Sequence, residues 1–252
     1  MNNPLSLDGK TILVTGAASG IGRATALYLS ELGARLVLID KNLNGLEEVY
    51  GLCATKADIY KCDLVNHDEL TILLKSIVSN YQEFNGFVHV AGVSYISPLK
   101  TISLEISRQV LQVNTLAGLE IAKYLSYRSM IALGGSSFVF ISSIYAMVGT
   151  SANCVYAISK AGIHGMVKAL AIELASKKVR VNCVTPGFID TEMMEYNQGK
   201  FDSDYLERIR GLHPLGLGKP DDIAGAIAFL LSDISRWITG VCLPVDAGYT
   251  AQ

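Results

Sequence analysis

Seven short apolar runs, at residues 12–15, 35–39, 59–62, 87–90, 138–142, 179–185 and 241–245, constrain this chain more than any other feature. Each is rich in Val, Ile or Phe and is apolar on consecutive rather than alternate positions. Such runs suit strands buried on both faces, as in a parallel sheet. Helical patterns lie between most of them, at 21–32, 69–80, 104–133, 155–176 and 220–231. The first places Ile21, Ala24, Leu27, Tyr28 and Leu32 at helical spacing, with Gly33 as its stop. The last opens Lys219-Pro220-Asp221-Asp222, with proline and acids in the first turn. Strand and helix alternating in this way predict an α/β fold: one doubly wound parallel sheet of about seven strands with helices on both faces.

Composition narrows the class. The 252 residues show no compositional break, which predicts a single domain over 1–252. The net charge is −2 and basic residues form no long run, so no nucleic acid or anionic membrane is expected as partner. No stretch reaches the roughly 18 apolar residues of a membrane span, and the polar start Met1-Asn2-Asn3-Pro4 lacks a signal pattern. Cys53, Cys62, Cys154, Cys183 and Cys242 are scattered and odd in number, which reads as reduced thiols in a cytoplasmic protein. The four histidines show no metal-ligand spacing.

The first strand–helix junction reads Thr15-Gly16-Ala17-Ala18-Ser19-Gly20-Ile21-Gly22. Gly16 permits a tight turn, Gly20 lets a diphosphate approach the backbone, and Gly22 lets the helix pack close to the sheet. Free N–H groups at the helix start then face phosphate. Asp40 ends the second strand, 18 residues after Gly22. A carboxylate there accepts both ribose hydroxyls and repels a 2′-phosphate, favouring NAD(H) over NADP(H). Ser19, not an arginine, precedes Gly20, which agrees; Lys41 softens the preference, so NADP(H) stays open. Asp63 ends the third strand, beside Leu64, where it could meet an adenine amino group or serve as an ordinary strand-end acid.

Tyr156 and Lys160, four apart at the start of a helical pattern, share a face. A nearby ammonium favours the phenolate and lowers the tyrosine pKa from about 10. A phenol tuned this way exchanges a proton with a substrate oxygen near neutral pH. The spacing occurs twice, the other pair being Tyr196 and Lys200 in a turn-like stretch. Ser143, thirteen residues before Tyr156 and just past the fifth strand, separates the two; Cys183 holds the matching position before Tyr196.

Taken together, Thr15-Gly16-x-x-x-Gly20-x-Gly22, Asp63, Ala91-Gly92, Asn114, Ser142-Ser143, Tyr156-x-x-x-Lys160 and Pro186-Gly187 resemble the short-chain dehydrogenase/reductase family over essentially the whole chain. The resemblance implies a Rossmann-type sheet and hydride transfer between nicotinamide and a substrate carbon. It makes Tyr156 the acid/base and has Ser143 hydrogen-bond the substrate oxygen. Lys160 also holds the nicotinamide ribose, and Asn114 bends its helix and positions a proton-relay water. Gly16, Ser19, Gly20, Ile21, Gly22, Asp40, Lys41, Asp63, Leu64, Ala91, Gly92, Tyr156 and Lys160 would contact cofactor. Pro186, Gly187, Ile189 and Thr191 would line its nicotinamide side. One departure stands out: His89-Val90-Ala91-Gly92 replaces the family's usual Asn-Asn-Ala-Gly. His89 falls in a buried strand and reads as a satisfied core histidine, with a local packing substitute for the lost asparagines.

Ser94, Tyr95, Ser143, Tyr145, Phe188, Met193 and Met194 are the candidate substrate contacts, with Met147, Cys154 and Tyr196 nearby. They are mostly apolar or aromatic, which suits a small neutral alcohol or ketone. The irregular stretch at 188–218 follows a strand's carboxyl end and reads as a mobile substrate lid. The C-terminal part is similar to 3-oxoacyl-carrier-protein reductases, but Asp40 disfavours NADPH and Met130 to Gly135 replaces an expected basic docking stretch. Three readings therefore compete: an NAD(H)-dependent alcohol/ketone oxidoreductase, an acyl-carrier-protein or acyl-thioester reductase, and a non-catalytic nucleotide-binding regulator. The tuned phenol weighs against the last. Apolar surface on the 104–133 and 155–176 helices, which the family pairs between subunits, implies a homotetramer or homodimer.

Overall fold

The computed structural model describes residues 3–191 and 203–252. Seven strands form one all-parallel sheet: β1 (Thr11–Thr15), β2 (Arg35–Asp40), β3 (Ala57–Lys61), β4 (Gly86–His89), β5 (Ser136–Ile141), β6 (Val179–Pro186) and β7 (Cys242–Val245). Their order is β3-β2-β1-β4-β5-β6-β7. The chain winds outward from β1 to one edge, returns to β4, and winds to the other edge. The crevice between the carboxyl ends of β1 and β4 is the point where such sheets bind ligands.

The consecutive apolar positions of each strand divide between two cores. Leu13, Val37, Ile39, Phe87, Phe138, Phe140 and Val181 face α3 (His67–Asn80), α5 (Ala117–Leu125) and α6 (Cys154–Leu174). Ile12, Val14, Leu36, Leu38, Val88, Val139, Ile141 and Val184 face α1 (Gly20–Glu31), α2 (Leu43–Leu52) and α8 (Pro220–Leu231). Each such side chain, fully buried, contributes about 1.5–3 kcal/mol.

Three elements differ from expectation. Helix α2 went unnoticed in the sequence because only one face, Leu46 and Val49, is buried while Leu43, Tyr50 and Leu52 stand exposed. The 104–133 pattern is not one helix. It is α4 (Leu104–Leu111), a π-helical turn (Gln112–Leu116) and α5, which stops at Leu125. Beyond it the apolar residues serve a different partner: Phe84 bridges to Ile131 and donates its N–H to the Met130 carbonyl at 2.8 Å. Within 188–218, α7 (Ser203–Gly211) is helical; Met193, Met194, Tyr196 and Lys200 lie outside the described residues.

Candidate active site

At the switch point a cleft of about 240 Å³ opens. Gly16, Ser19, Gly20, Ile21, Gly22, Asp40, Lys41, Asp63, Leu64, Ala91, Gly92 and Thr191 line it, joined by Ile39, Cys62, Val90, Val93 and Val113, which the sequence did not single out. Ile39, Cys62 and Val90 come from strand ends, Val93 from the loop after β4 and Val113 from the π turn, and apolar residues there give no separate signal.

The glycines make the crevice narrow. A Cβ on Gly16 would stand 2.7 Å from the Ala91 backbone, so β1 and β4 touch through bare main chain. A Cβ on Gly22 would collide with the Gly16 carbonyl. Helix α1 begins at Gly20 with no side-chain cap hydrogen bond from Ser19 and no acid in its first turn. Its N–H groups and positive dipole end are thus left to a diphosphate. Asp40 is half-buried; Oδ2 accepts from the Ala18 N–H at 3.1 Å and Oδ1 from the Asn42 N–H at 2.9 Å. A carboxylate has about four lone-pair sites, so acceptor capacity remains for a vicinal diol. Asp63 Oδ1 accepts from the Val65 N–H at 3.0 Å, fixing the carboxylate at the cleft's rim. These features fit a dinucleotide. Pro186, Gly187 and Ile189 do not line this cleft: β6 carries them onto β7 and Gly218, where the Gly187 N–H reaches the Val245 carbonyl at 3.0 Å.

Lys160 and Asn114 meet beside Gly92, with Tyr156 next to Lys160 and Ser143 next to Tyr156. A Cβ on Gly92 would lie 3.3 Å from Lys160 Nζ and 3.4 Å from Asn114 Oδ1. Asn114 sits in the π turn, fully buried. Its Oδ1 accepts from the Val93 N–H at 2.8 Å, and its Nδ2 donates to the Val93 carbonyl and to Ser159 Oγ, both at 3.0 Å. Lys160 donates to the Ile141 carbonyl at 2.8 Å, and its ammonium lies 5.8 Å from the Tyr156 ring centre. Burial lowers the Lys160 pKa to about 8. Ser143, at the end of β5, hydrogen-bonds Tyr156.

The tyrosine's own tuning differs from expectation. Burial pushes the Tyr156 phenol above its ordinary value, and the Ser143 hydrogen bond opposes that push only in part. The physical reason is that Lys160 points its ammonium at a backbone carbonyl rather than at the phenolic oxygen, so desolvation outweighs attraction.

Tyr145 packs edge-on against Tyr156, ring centres 6.4 Å apart, and against Phe188 at 5.9 Å. Phe188 in turn meets His213 at 5.6 Å. His213 donates from Nδ1 to the Ile209 carbonyl at 2.7 Å, and its Nε2 accepts from the Phe188 N–H at 3.1 Å, locking one tautomer. Sequence reading missed this histidine, because nothing in its neighbours announces a contact across 25 residues. The Tyr95 hydroxyl accepts the Ser103 N–H at 2.9 Å, at the start of α4. Ser94 follows β4, Met147 is exposed, and Cys154 opens α6 at the surface.

His89 supplies the substitute for the missing asparagines. It is buried, donates from Nε2 to the Val113 carbonyl at 3.0 Å, and accepts at Nδ1 from the Thr15 hydroxyl at 2.9 Å. Thr15 Oγ1 also accepts the Ala91 N–H at 3.3 Å. One imidazole thus ties β1 and β4 to the π turn that holds Asn114. The space for it comes from Gly118, where a Cβ would lie 2.7 Å from the ring. Burial lowers the His89 pKa to about 4.

Comparison with known proteins agrees with this geometry. A family model described as enoyl-(acyl carrier protein) reductase matches residues 16–250. The 3-oxoacyl-[acyl-carrier-protein] reductase FabG of Thermotoga maritima is 37% identical, over 97% of this chain and 99% of its own. The cyclohexanol dehydrogenase of Acinetobacter sp. is 31% identical, over 97% and 96%. Among solved structures, one provisionally described as an NAD(P)-dependent gluconate 5-dehydrogenase from Beutenbergia cavernae, with NADP bound at low occupancy, superposes with a TM-score of 0.93 at 30% identity, covering 99% of this chain and 100% of that one. A short-chain type dehydrogenase/reductase from Mycobacterium ulcerans gives 0.89 at 29% identity, over 98% and 92%. The chain belongs to the short-chain dehydrogenase/reductase family, oxidoreductases acting on CH–OH groups.

Proposed function

We propose that this protein is an NAD(H)-dependent oxidoreductase that interconverts a small secondary alcohol and its ketone, with Tyr156 as the acid/base. The observation that carries the reading is the linked set in which Asn114 and Lys160 meet beside Gly92, Tyr156 lies next to Lys160 and Ser143 hydrogen-bonds Tyr156, next to a cleft shaped for a dinucleotide. The bound nicotinamide supplies the hydride in reduction and takes it in oxidation. This chain's residues manage the proton: Tyr156 gives its hydroxyl proton to the substrate oxygen in reduction and takes one back in oxidation, while Ser143 hydrogen-bonds that oxygen. Lys160 brings positive charge to the site and a donor for the ribose, and Asn114 braces Val93. Gly16, Ser19–Gly22, Asp40, Lys41, Asp63, Leu64, Ala91 and Gly92 would hold the cofactor, with Pro186, Gly187, Ile189 and Thr191 towards its nicotinamide. Tyr145 and Phe188 give the substrate side an aromatic wall, which suits a neutral substrate.

The similarity to 3-oxoacyl-[acyl-carrier-protein] reductases supports a second reading, reduction of an acyl thioester. Assaying alcohols, ketones and acyl thioesters by nicotinamide absorbance separates the two. In Tyr156→Phe, turnover should fall by at least about 100-fold, the lower range for general acid–base catalysis, while dinucleotide binding stays within about twofold. Full turnover in that variant overturns the mechanism.

A further inference from the structure

Three elements far apart in sequence bring soft donor atoms together where α6 packs on the β6–β7 edge of the sheet. Cys183 of β6 and Cys242 of β7 stand opposite each other in register, and His164 of α6 lies against them. Their donor atoms all lie within 4.8 Å of one another. Cys183 is buried, whereas His164 and Cys242 are half-buried, and β7 is an edge strand, so an ion has a path from solvent. We propose that His164, Cys183 and Cys242 form a binding site for one thiophilic divalent cation per chain, with Zn²⁺ as its type.

Zinc–sulfur and zinc–nitrogen bonds of about 2.3 and 2.0 Å place tetrahedral ligand atoms roughly 3.5–3.8 Å apart. Closing the cluster therefore takes rotamer changes of about an ångström. Two thiolates and an imidazole prefer zinc to magnesium or calcium. Cys183 already hydrogen-bonds Cys242, so the two sulfurs are in contact before any ion arrives. The fourth position is left to solvent. Binding displaces the two thiol protons to solvent, leaving a neutral site.

The test uses reduced, chelator-treated full-length protein titrated with Co²⁺. The expected result is thiolate-to-cobalt charge-transfer absorption saturating at one equivalent per chain, its displacement by Zn²⁺, and a rise in melting temperature with Zn²⁺. Cys242→Ser and His164→Gln should each weaken binding by at least about 100-fold, since even outer-shell changes cost 10–100-fold. Cys154→Ser, at the surface, should leave it unchanged. Both ligand variants change half-buried side chains, and circular dichroism checks that they fold. Absence of the charge-transfer band at saturating Co²⁺, or its persistence in Cys242→Ser, overturns the proposal. So does mass loss of two hydrogens without metal uptake, which marks a disulfide pair instead. None of these readouts depends on turnover, so the oxidoreductase reading stands or falls separately.

Discussion

At the scale of single residues, Asp40 is the side chain expected to set the cofactor preference. Its carboxylate is already held by the Ala18 and Asn42 N–H groups, so it cannot swing away from an incoming 2′-phosphate. We expect NADH to bind more tightly than NADPH, and Asp40→Ala to narrow the ratio by about 10-fold, the equivalent of roughly 1.4 kcal/mol. Fluorescence titration of both dinucleotides checks this; tighter NADPH binding to the parent protein refutes it. Tyr156 shows what sequence could and could not convey. Its helical spacing to Lys160 occurs a second time at Tyr196 and Lys200, and the role of Ser143 came from the family resemblance. The direction of the Tyr156 pKa was not legible, because that depends on where the Lys160 ammonium points, and a carbonyl in β5 decides it.

At the scale of elements, the strands were legible to within about two residues because burial on both faces leaves few polar interruptions. Helices were less so. The π turn at Gln112–Leu116 has no distinctive residue pattern, and α2 hides its short buried face among polar residues. The contact between β4 and α5 yields a testable coupling. Gly118→Ala presses a methyl group onto a ring held by two hydrogen bonds, and should cost about 1–3 kcal/mol as overpacking. In a His89→Ala background the same change should cost much less, which a double-mutant cycle of denaturant unfolding measures. The ring also predicts a pH response. Its folded pKa near 4 lies below the unfolded value of about 6.5, so the folded chain binds fewer protons in that window. Stability should fall as pH drops from about 6.5 towards 4, by up to about 3 kcal/mol. Unfolding midpoints across that range should show the loss in the parent and a flatter profile in His89→Ala.

At the scale of the whole molecule, Leu104, Ile106, Leu116 and Leu119 on the α4–α5 segment and Ile158 and Ile172 on α6 are exposed. Exposed apolar residues on neighbouring helices favour self-association. A homotetramer or homodimer is the expected state, readable as sedimentation mass, and charged substitutions at Leu116 or Ile158 should shift it towards monomer. An unchanged mass in both variants argues that other surfaces carry assembly. The His164–Cys183–Cys242 cluster was illegible in sequence for the opposite reason: its members are spread over 78 positions, and only the sheet's winding unites them.

That winding has a further consequence. Because the chain completes β1, β2 and β3 before it returns to β4, the cleft-lining residues that follow these three strands, from Gly16 to Leu64, are encoded in one uninterrupted stretch. The linked polar groups Asn114, Ser143, Tyr156 and Lys160 are encoded in another. The boundary between the two passes through α3, which carries neither set. A single recombination crossover within α3 is therefore expected to exchange coenzyme choice between relatives while leaving their chemistry in place.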